Sequence, residues 1–206
     1  FEEGQTWRYD DLHAPFAFPI KKTEKEIQEN LEEIERNLTP IYQFDNAVSG
    51  EKRLVFKKAF TEKLTREKSN PNTQFKDALI NPGMYEEYGK RFLANWYDRG
   101  IVKLNPNHQN KGTDYVITIT RGNTNTNYTL PTVWDMEKVN SRLLDSLFYS
   151  GLKEAEFILS IIDTLMEPNV FYSDSLTQHQ KDLMLGQMVT TRGAVEKGDL
   201  IVLNDG

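Results

Sequence analysis

Residues 167–206, EPNVFYSDSLTQHQKDLMLGQMVTTRGAVEKGDLIVLNDG, are the stretch from which the fold reads outward. Pro168-Asn169 makes a rigid entry to a short apolar run, Val170-Phe171-Tyr172. An Asp/Ser/Thr cluster ending at Thr177 then supplies a helix cap, and a helix of about three turns follows. Gly193, Gly198 and Gly206 punctuate a closing strand pair. In Val195-Glu196-Lys197-Gly198-Asp199-Leu200-Ile201-Val202, a turn needs Gly198 at positive φ, and Ile201-Val202 pairs with a neighbouring strand. The lysine of that turn lacks the flanking motif of a biotinyl or lipoyl carrier. Nothing in the stretch has the pattern of a reaction centre.

The totals describe a folded chain. Of 206 residues, 38% are apolar and 27% charged, enough to bury a core as one large domain or two small ones. A net charge of −6 speaks against nucleic acid or an anionic membrane surface as main partner. Without cysteine there is no disulfide, thiolate metal site or cysteine nucleophile. The most apolar run, Phe157 to Met166, is half as long as a membrane span. The chain opens at Phe1 and closes on the turn residues Asn204-Asp205-Gly206, and is read as a piece of a longer protein.

From the N-terminus, residues 1–22 are extended, with Pro15 and Pro19 blocking a helix and limiting strand pairing. Thr23 and Glu26 form a capping box for a helix whose stripe is Ile27, Leu31, Ile34 and Leu38, its other faces carrying six glutamates. Ile41 to Phe44 is a short strand. A basic helix, Ser49 to Lys68, turns Phe56, Phe60 and Leu64 inward. The acidic and basic helices are either side-by-side partners or two solvated faces. A third helix, with a break at Asn81-Pro82-Gly83, carries Tyr85, Tyr88, Phe92 and Trp96 on one side, a core stripe rather than a ligand platform. Gly100 closes it. Ile101 to Leu104 adds a strand, and Asp114–Thr120 and Tyr128–Val133 form a hairpin with a polar tip, residues 121–127. Two helices follow, about 136–149 and 152–165; Ala155, Ile158, Leu159, Ile162 and Leu165 make the second the central core helix. The order of extended run, Thr cap, helix and extended run near the N-terminus is echoed at residues 170–195.

Chemistry-bearing motifs are scarce. His13, His108 and His179 are scattered in polar surroundings and read as surface or capping residues, not metal ligands. There is no nucleophile elbow and no phosphate loop, and Gly193…Gly198 lacks the context of a dinucleotide site. Acidic pairs such as Asp10-Asp11 and Glu32-Glu33 lack the shared cleft that shifts a carboxyl pKa. Asn37-Leu38-Thr39 and Asn127-Tyr128-Thr129 match glycosylation acceptors, a short motif that decides nothing. No catalytic, cofactor-binding or metal residue is assigned, and ligand-binding residues stay unassigned.

Two blocks nevertheless resemble one bacterial family. Asp11-Leu12-His13-Ala14-Pro15-Phe16-Ala17-Phe18-Pro19-Ile20, with Thr23, a helix, Pro40-Ile41-Tyr42 and Asp45, looks like the start of the extracytoplasmic domain of seven-transmembrane HD-hydrolase receptors. Pro168-Asn169-Val170 with Tyr172, Thr177, a helix and Val195 to Val202 looks like its end. The resemblance implies an exported domain joined to a membrane bundle and a cytoplasmic HD phosphohydrolase that degrades cyclic di-AMP. It implies location on the outer face of the cytoplasmic membrane, and a role as sensor or interaction domain. Partners would be a small molecule or envelope protein and the parent's own membrane bundle. The family's catalytic residues have no counterpart here. The alternatives are an autonomous exported carboxylate-based hydrolase and an architectural or dimerisation module without ligand.

The expected fold is α+β and mainly helical: about six helices, a central β-hairpin, and a small β-containing lobe joining the two chain ends. As one domain, residues 1–48 and 166–206 would form a membrane-proximal lobe. Residues 49–165, with the hairpin at 114–133, would form the helical part.

Overall fold

In the computed structural model, residues 6, 8–149 and 151–203 are described. The strands are β1 (Leu12–His13), β2 (Phe18–Lys21), β3 (Ile41–Phe44), β4 (Ile101–Lys103), β5 (Val116–Arg121), β6 (Thr124–Thr129), β7 (Trp134–Asp135), β8 (Val170–Tyr172), β9 (Thr191–Val195) and β10 (Leu200–Val202). The helices are α1 (Glu24–Asn37), α2 (Asn46–Lys68), α3 (Lys76–Ile80), α4 (Pro82–Arg99), α5 (Pro106–Gln109), α6 (Met136–Phe148), α7 (Glu156–Leu165) and α8 (Asp174–Gly186). The fold is α+β. Eight helices stand among the described residues where about six were expected. The break before Pro82 separates α3 from α4, and α5 is a single turn opened by Asn105, whose side chain accepts the Asn107 N–H.

One compact unit is made from the chain up to Leu38 and from Gln178 onward. Its strands pair the two ends, β1 with β10 and β2 with β9, both antiparallel. The expected turn closes it: the Asp199 N–H donates to the Glu196 carbonyl at 3.1 Å, and Gly198 has φ +97°. That is the third position of a type II turn, which excludes most side chains. Gly198 and Asp199 also bond to Ala14, and the Gly198 carbonyl lies 2.9 Å from His13 Nδ1. The Thr23–Glu26 capping box forms on α1. Ile27, Leu31 and Ile34 are only half-buried there, while Glu35 pairs with Lys181 of α8 and Glu26 with Arg192 of β9.

The other unit, Thr39–Thr177, holds a six-stranded mixed sheet ordered β6-β5-β3-β8-β4-β7. The division therefore falls at residues 38 and 177 instead of 48 and 166. The reason is pairing: β3 and β8 bond to each other and to β5 and β4, not to the strands of the chain ends. The hairpin β5–β6 forms one edge. Its turn is only Gly122-Asn123, with Gly122 at φ +58°, so the Asn/Thr run expected as a loop tip is strand β6. Pro131 has no N–H to donate, and the expected strand after Tyr128 gives way to a 3-10 turn at Leu130–Thr132.

The main core lies among α2, α4, α6 and α7. Phe56, Phe60, Tyr85, Leu93, Trp96, Phe157, Ile158 and Ile162 are buried there, so the aromatic stripe of α4 is core. Gly89 permits the close approach of α2, because Phe56 lies against the position its Cβ would take. The second core, on the sheet, comprises Tyr42, Val102, Ile117, Ile119, Val133 and Val170. Thr177 is not a cap: α8 begins at Asp174, and the Thr177 hydroxyl donates to the Ser173 carbonyl at 2.8 Å while accepting the Ile41 N–H at 2.9 Å.

Candidate functional site

Strand register decides which side chains meet. Gln43 on β3 is opposite Phe171 on β8, which is opposite Lys103 on β4, so the three share a face. The same row continues to Thr120 and Asn125 through the β3–β5 and β5–β6 pairing. Phe171 is the one apolar member of this row and is 37% exposed. It lines both a cleft of about 910 Å³ and a neighbouring one of about 420 Å³. In the sequence Val170-Phe171-Tyr172 reads only as a short apolar run. The strand period sends Val170 and Tyr172 to the second core and its middle residue to solvent.

The trough has a rigid frame. Asn169, 1% exposed, accepts the Ile101 N–H through Oδ1 at 2.7 Å and donates through Nδ2 to the Tyr97 carbonyl at 3.0 Å. Its own N–H bonds to the Ile101 carbonyl, and its carbonyl accepts the Asp45 N–H. One side chain thus ties the end of α4, the start of β4 and the entry to β8. Gly100 sits at φ +87° against Phe44 and Val170, where a Cβ would lie 2.6 Å from the Phe44 ring. On the other side, Lys138 donates to the carbonyls of Leu130, Pro131 and Val133 at 3.2, 3.1 and 2.9 Å and fixes the segment leading into β7.

The loop wall from Asn105 to Tyr115 is fastened by an aromatic cluster. Tyr42 Oη accepts the Asn105 N–H at 3.1 Å and lies 2.7 Å from His108 Nδ1. The rings of Tyr115 and Tyr172 also pack on the imidazole. Burial, and then the Lys111 charge, holds its pKa below the ordinary 6.5. His108 is thus a structural residue that fastens α5 to the second core, and its neighbour Gln109 lines the larger cleft.

Charge in the trough is uneven. Asp135 Oδ1 accepts the Lys138 N–H at 2.8 Å and starts α6, and Asp45 does the same for α2 through Ala47 at 2.9 Å. Glu167 pairs with Lys52 at 2.8 Å. Among the described residues, the side chains of Lys103 and Glu137, both in the larger cleft, have no hydrogen bond or ion pair. They are its uncommitted charges.

Other candidates resolve into framework. Asp77 and Glu154 approach each other around Tyr85, but the Glu154 carboxylate accepts the N–H groups of Asp77 and Ala78 at 3.0 and 2.9 Å, capping α3 from another element. Tyr85 donates to Asp77 at 2.9 Å, and burial together with that carboxylate pushes its pKa up to about 12. Lys63 donates to the Phe157 carbonyl and to Ser160, and burial lowers its pKa. His13 meets the Gly198 turn, and His179 is exposed on α8. Among the described residues no three acidic or histidine side chains are grouped to hold a metal, and no helix is long and apolar enough to cross a membrane.

A model of the family "7TM-HD extracellular" matches residues 10–205, and the chain belongs to that family. Comparison with individual curated proteins and with solved structures gave no significant match. Membership makes the chain a non-catalytic, extracellular part of a membrane HD-hydrolase protein.

Proposed function

We propose that this 7TM-HD extracellular domain is the sensor of its parent protein, and that occupancy of the trough at Phe171 regulates a cytoplasmic HD phosphohydrolase acting on cyclic di-AMP. A ligand transmits nothing unless it binds two arrangements of the protein unequally. The observation carrying the reading is the pairing of the chain's two ends, β1 with β10 and β2 with β9, in one small lobe. With both tethers in one lobe next to the membrane, a change felt there reaches the membrane bundle from two sides at once. The chain contributes recognition, and the chemistry belongs to the HD part.

The test is the cyclic di-AMP content of cells carrying the intact parent, compared with cells whose parent has this chain exchanged for an unrelated folded domain. The expected result is a content that responds to extracellular conditions only with the native domain. Equal content and equal response in both would overturn the sensor reading in favour of an architectural module.

A further inference from the structure

We infer that the trough takes a cationic segment of another polypeptide, an extended stretch with a lysine or arginine beside apolar residues. The inference rests on the sensor reading and adds the class of ligand. Shape is the first argument. The two clefts of about 910 and about 420 Å³ share Phe171 as a wall, so the depression is elongated across strands β3, β8 and β4. Strand spacing of about 4.8 Å makes the Gln43–Phe171–Lys103 row about 10 Å wide, the reach of about three extended residues.

Charge is the second argument. Asp45, Asp135, Glu137 and Glu167 line the two clefts, and among the described residues Lys103 is the only cation lining them. Lys52 neutralises Glu167, and the other two aspartates serve as helix starts, which leaves Glu137 to meet an incoming charge. An excess of carboxylate repels an acidic partner and attracts a basic one. The third argument is the exposed Phe171 ring in the same cleft, since an aromatic face and a free carboxylate together suit an ammonium or guanidinium group. Apolar neighbours of that group would lie on Leu104, Met136 and Pro168. Lys103, at the far end of the row, then donates to a carbonyl of the segment.

The test titrates the purified chain by calorimetry with an acetylated and amidated Ala-Arg-Leu-Arg-Ala peptide, against the same peptide with glutamate for arginine. Saturable binding of the arginine peptide is expected, weakening as salt rises. Glu137→Lys should weaken it about tenfold, and Phe171→Ala about fivefold, with unfolding midpoints unchanged. Equal or tighter binding of the glutamate peptide would overturn the inference. So would free arginine amide matching the peptide, indifference to both substitutions, preference for a neutral glycan oligomer, or no binding at all. The sensor reading stands or falls separately, on the cyclic di-AMP content of the cells with the exchanged domain.

Discussion

Replacing Gly89 by alanine sets two effects of opposite sign against each other. Gly89 lies inside α4, where alanine is favoured over glycine by about 1 kcal/mol. An exposed helix would gain that much. Here the added Cβ overlaps Phe56 Cζ and falls 2.7 and 2.9 Å from the two ε-carbons of the ring. Comfortable carbon contacts begin near 3.5 Å, so the ring must retreat by about 1.5 Å. Phe56 is fully buried, its ring 5.9 Å from that of Phe60, which in turn stands 5.5 Å from Phe157. Retreat therefore displaces a chain of packed aromatics, a cost of about 1–3 kcal/mol. Gly89→Ala should lower stability by up to about 2 kcal/mol after the helical gain is subtracted. Urea unfolding followed by tryptophan fluorescence suits the measurement, because Trp96 and Trp134 report on this core. Phe56→Leu shortens the opposing side chain, so the double variant should lose less than the two single variants together. A Gly89→Ala protein more stable than the parent by the full helical gain would refute the close-approach argument.

Asn169→Leu should cost about 2–4 kcal/mol, measured as a fall in the urea midpoint, because it strands the Ile101 N–H and the Tyr97 carbonyl in a dry site. Gly198→Val has room around it but must hold a β-branched residue at φ +97°. Hydrogen exchange should show the β1–β10 pairing loosened by about 1–3 kcal/mol, with the Thr39–Thr177 unit unaffected. His108 is held below 6.5, so the folded state takes up a proton later than the unfolded chain. Its stabilising effect is full above pH 6.5 and is lost as pH falls from there through the lowered pKa, so the midpoint drop on acidification should shrink in His108→Gln. Tyr85 and Tyr97 titrate at about 12 instead of 10, so the stability they confer is full below pH 10 and fades toward pH 12. Absorbance at alkaline pH should show Tyr85 and Tyr97 titrating late, and burial raises Tyr42 and Tyr115 in the same direction.

Much of the helical core is legible in the sequence because period 3.6 survives in single stretches. Tyr85, Phe92 and Trp96 on α4, and Ile158 and Ile162 on α7, announce their faces without help from the rest of the chain. The joining of the chain ends in one lobe is expected from the resemblance, and it forms although Pro15 and Pro19 limit pairing, Pro19 standing opposite Ala194 in β9. Strand partners are not legible. Ile41–Phe44 and Val170–Tyr172 are too short to declare whom they join, and their pairing is set by Asn169 and Gly100, residues that have no periodic signature. The trough is invisible for the same reason. Phe171 is exposed by register alone, and the two uncommitted charges stand 34 positions apart. Thr177 misleads because a threonine in a polar cluster advertises a cap, whereas here its hydroxyl serves the Ile41 backbone across the chain.

That bond from Ile41 to Thr177, with the Ser173 N–H on the Ile41 carbonyl, fastens the chain where it enters the larger unit to where it leaves. The larger unit is thereby an insertion whose two ends are stitched side by side. The ribbons of the other unit join residues as remote as His13 and Gly198, 185 positions apart. The N-terminal segment must therefore wait, unpaired, until the whole insertion and the strands that follow it have reached the outer side of the membrane. The helical insertion shortens that wait in space though not in sequence, delivering Gln178 back beside the point of departure. Maturation of this domain is in this sense timed from its last two strands: until β9 and β10 arrive, β1 and β2 have nothing to bind.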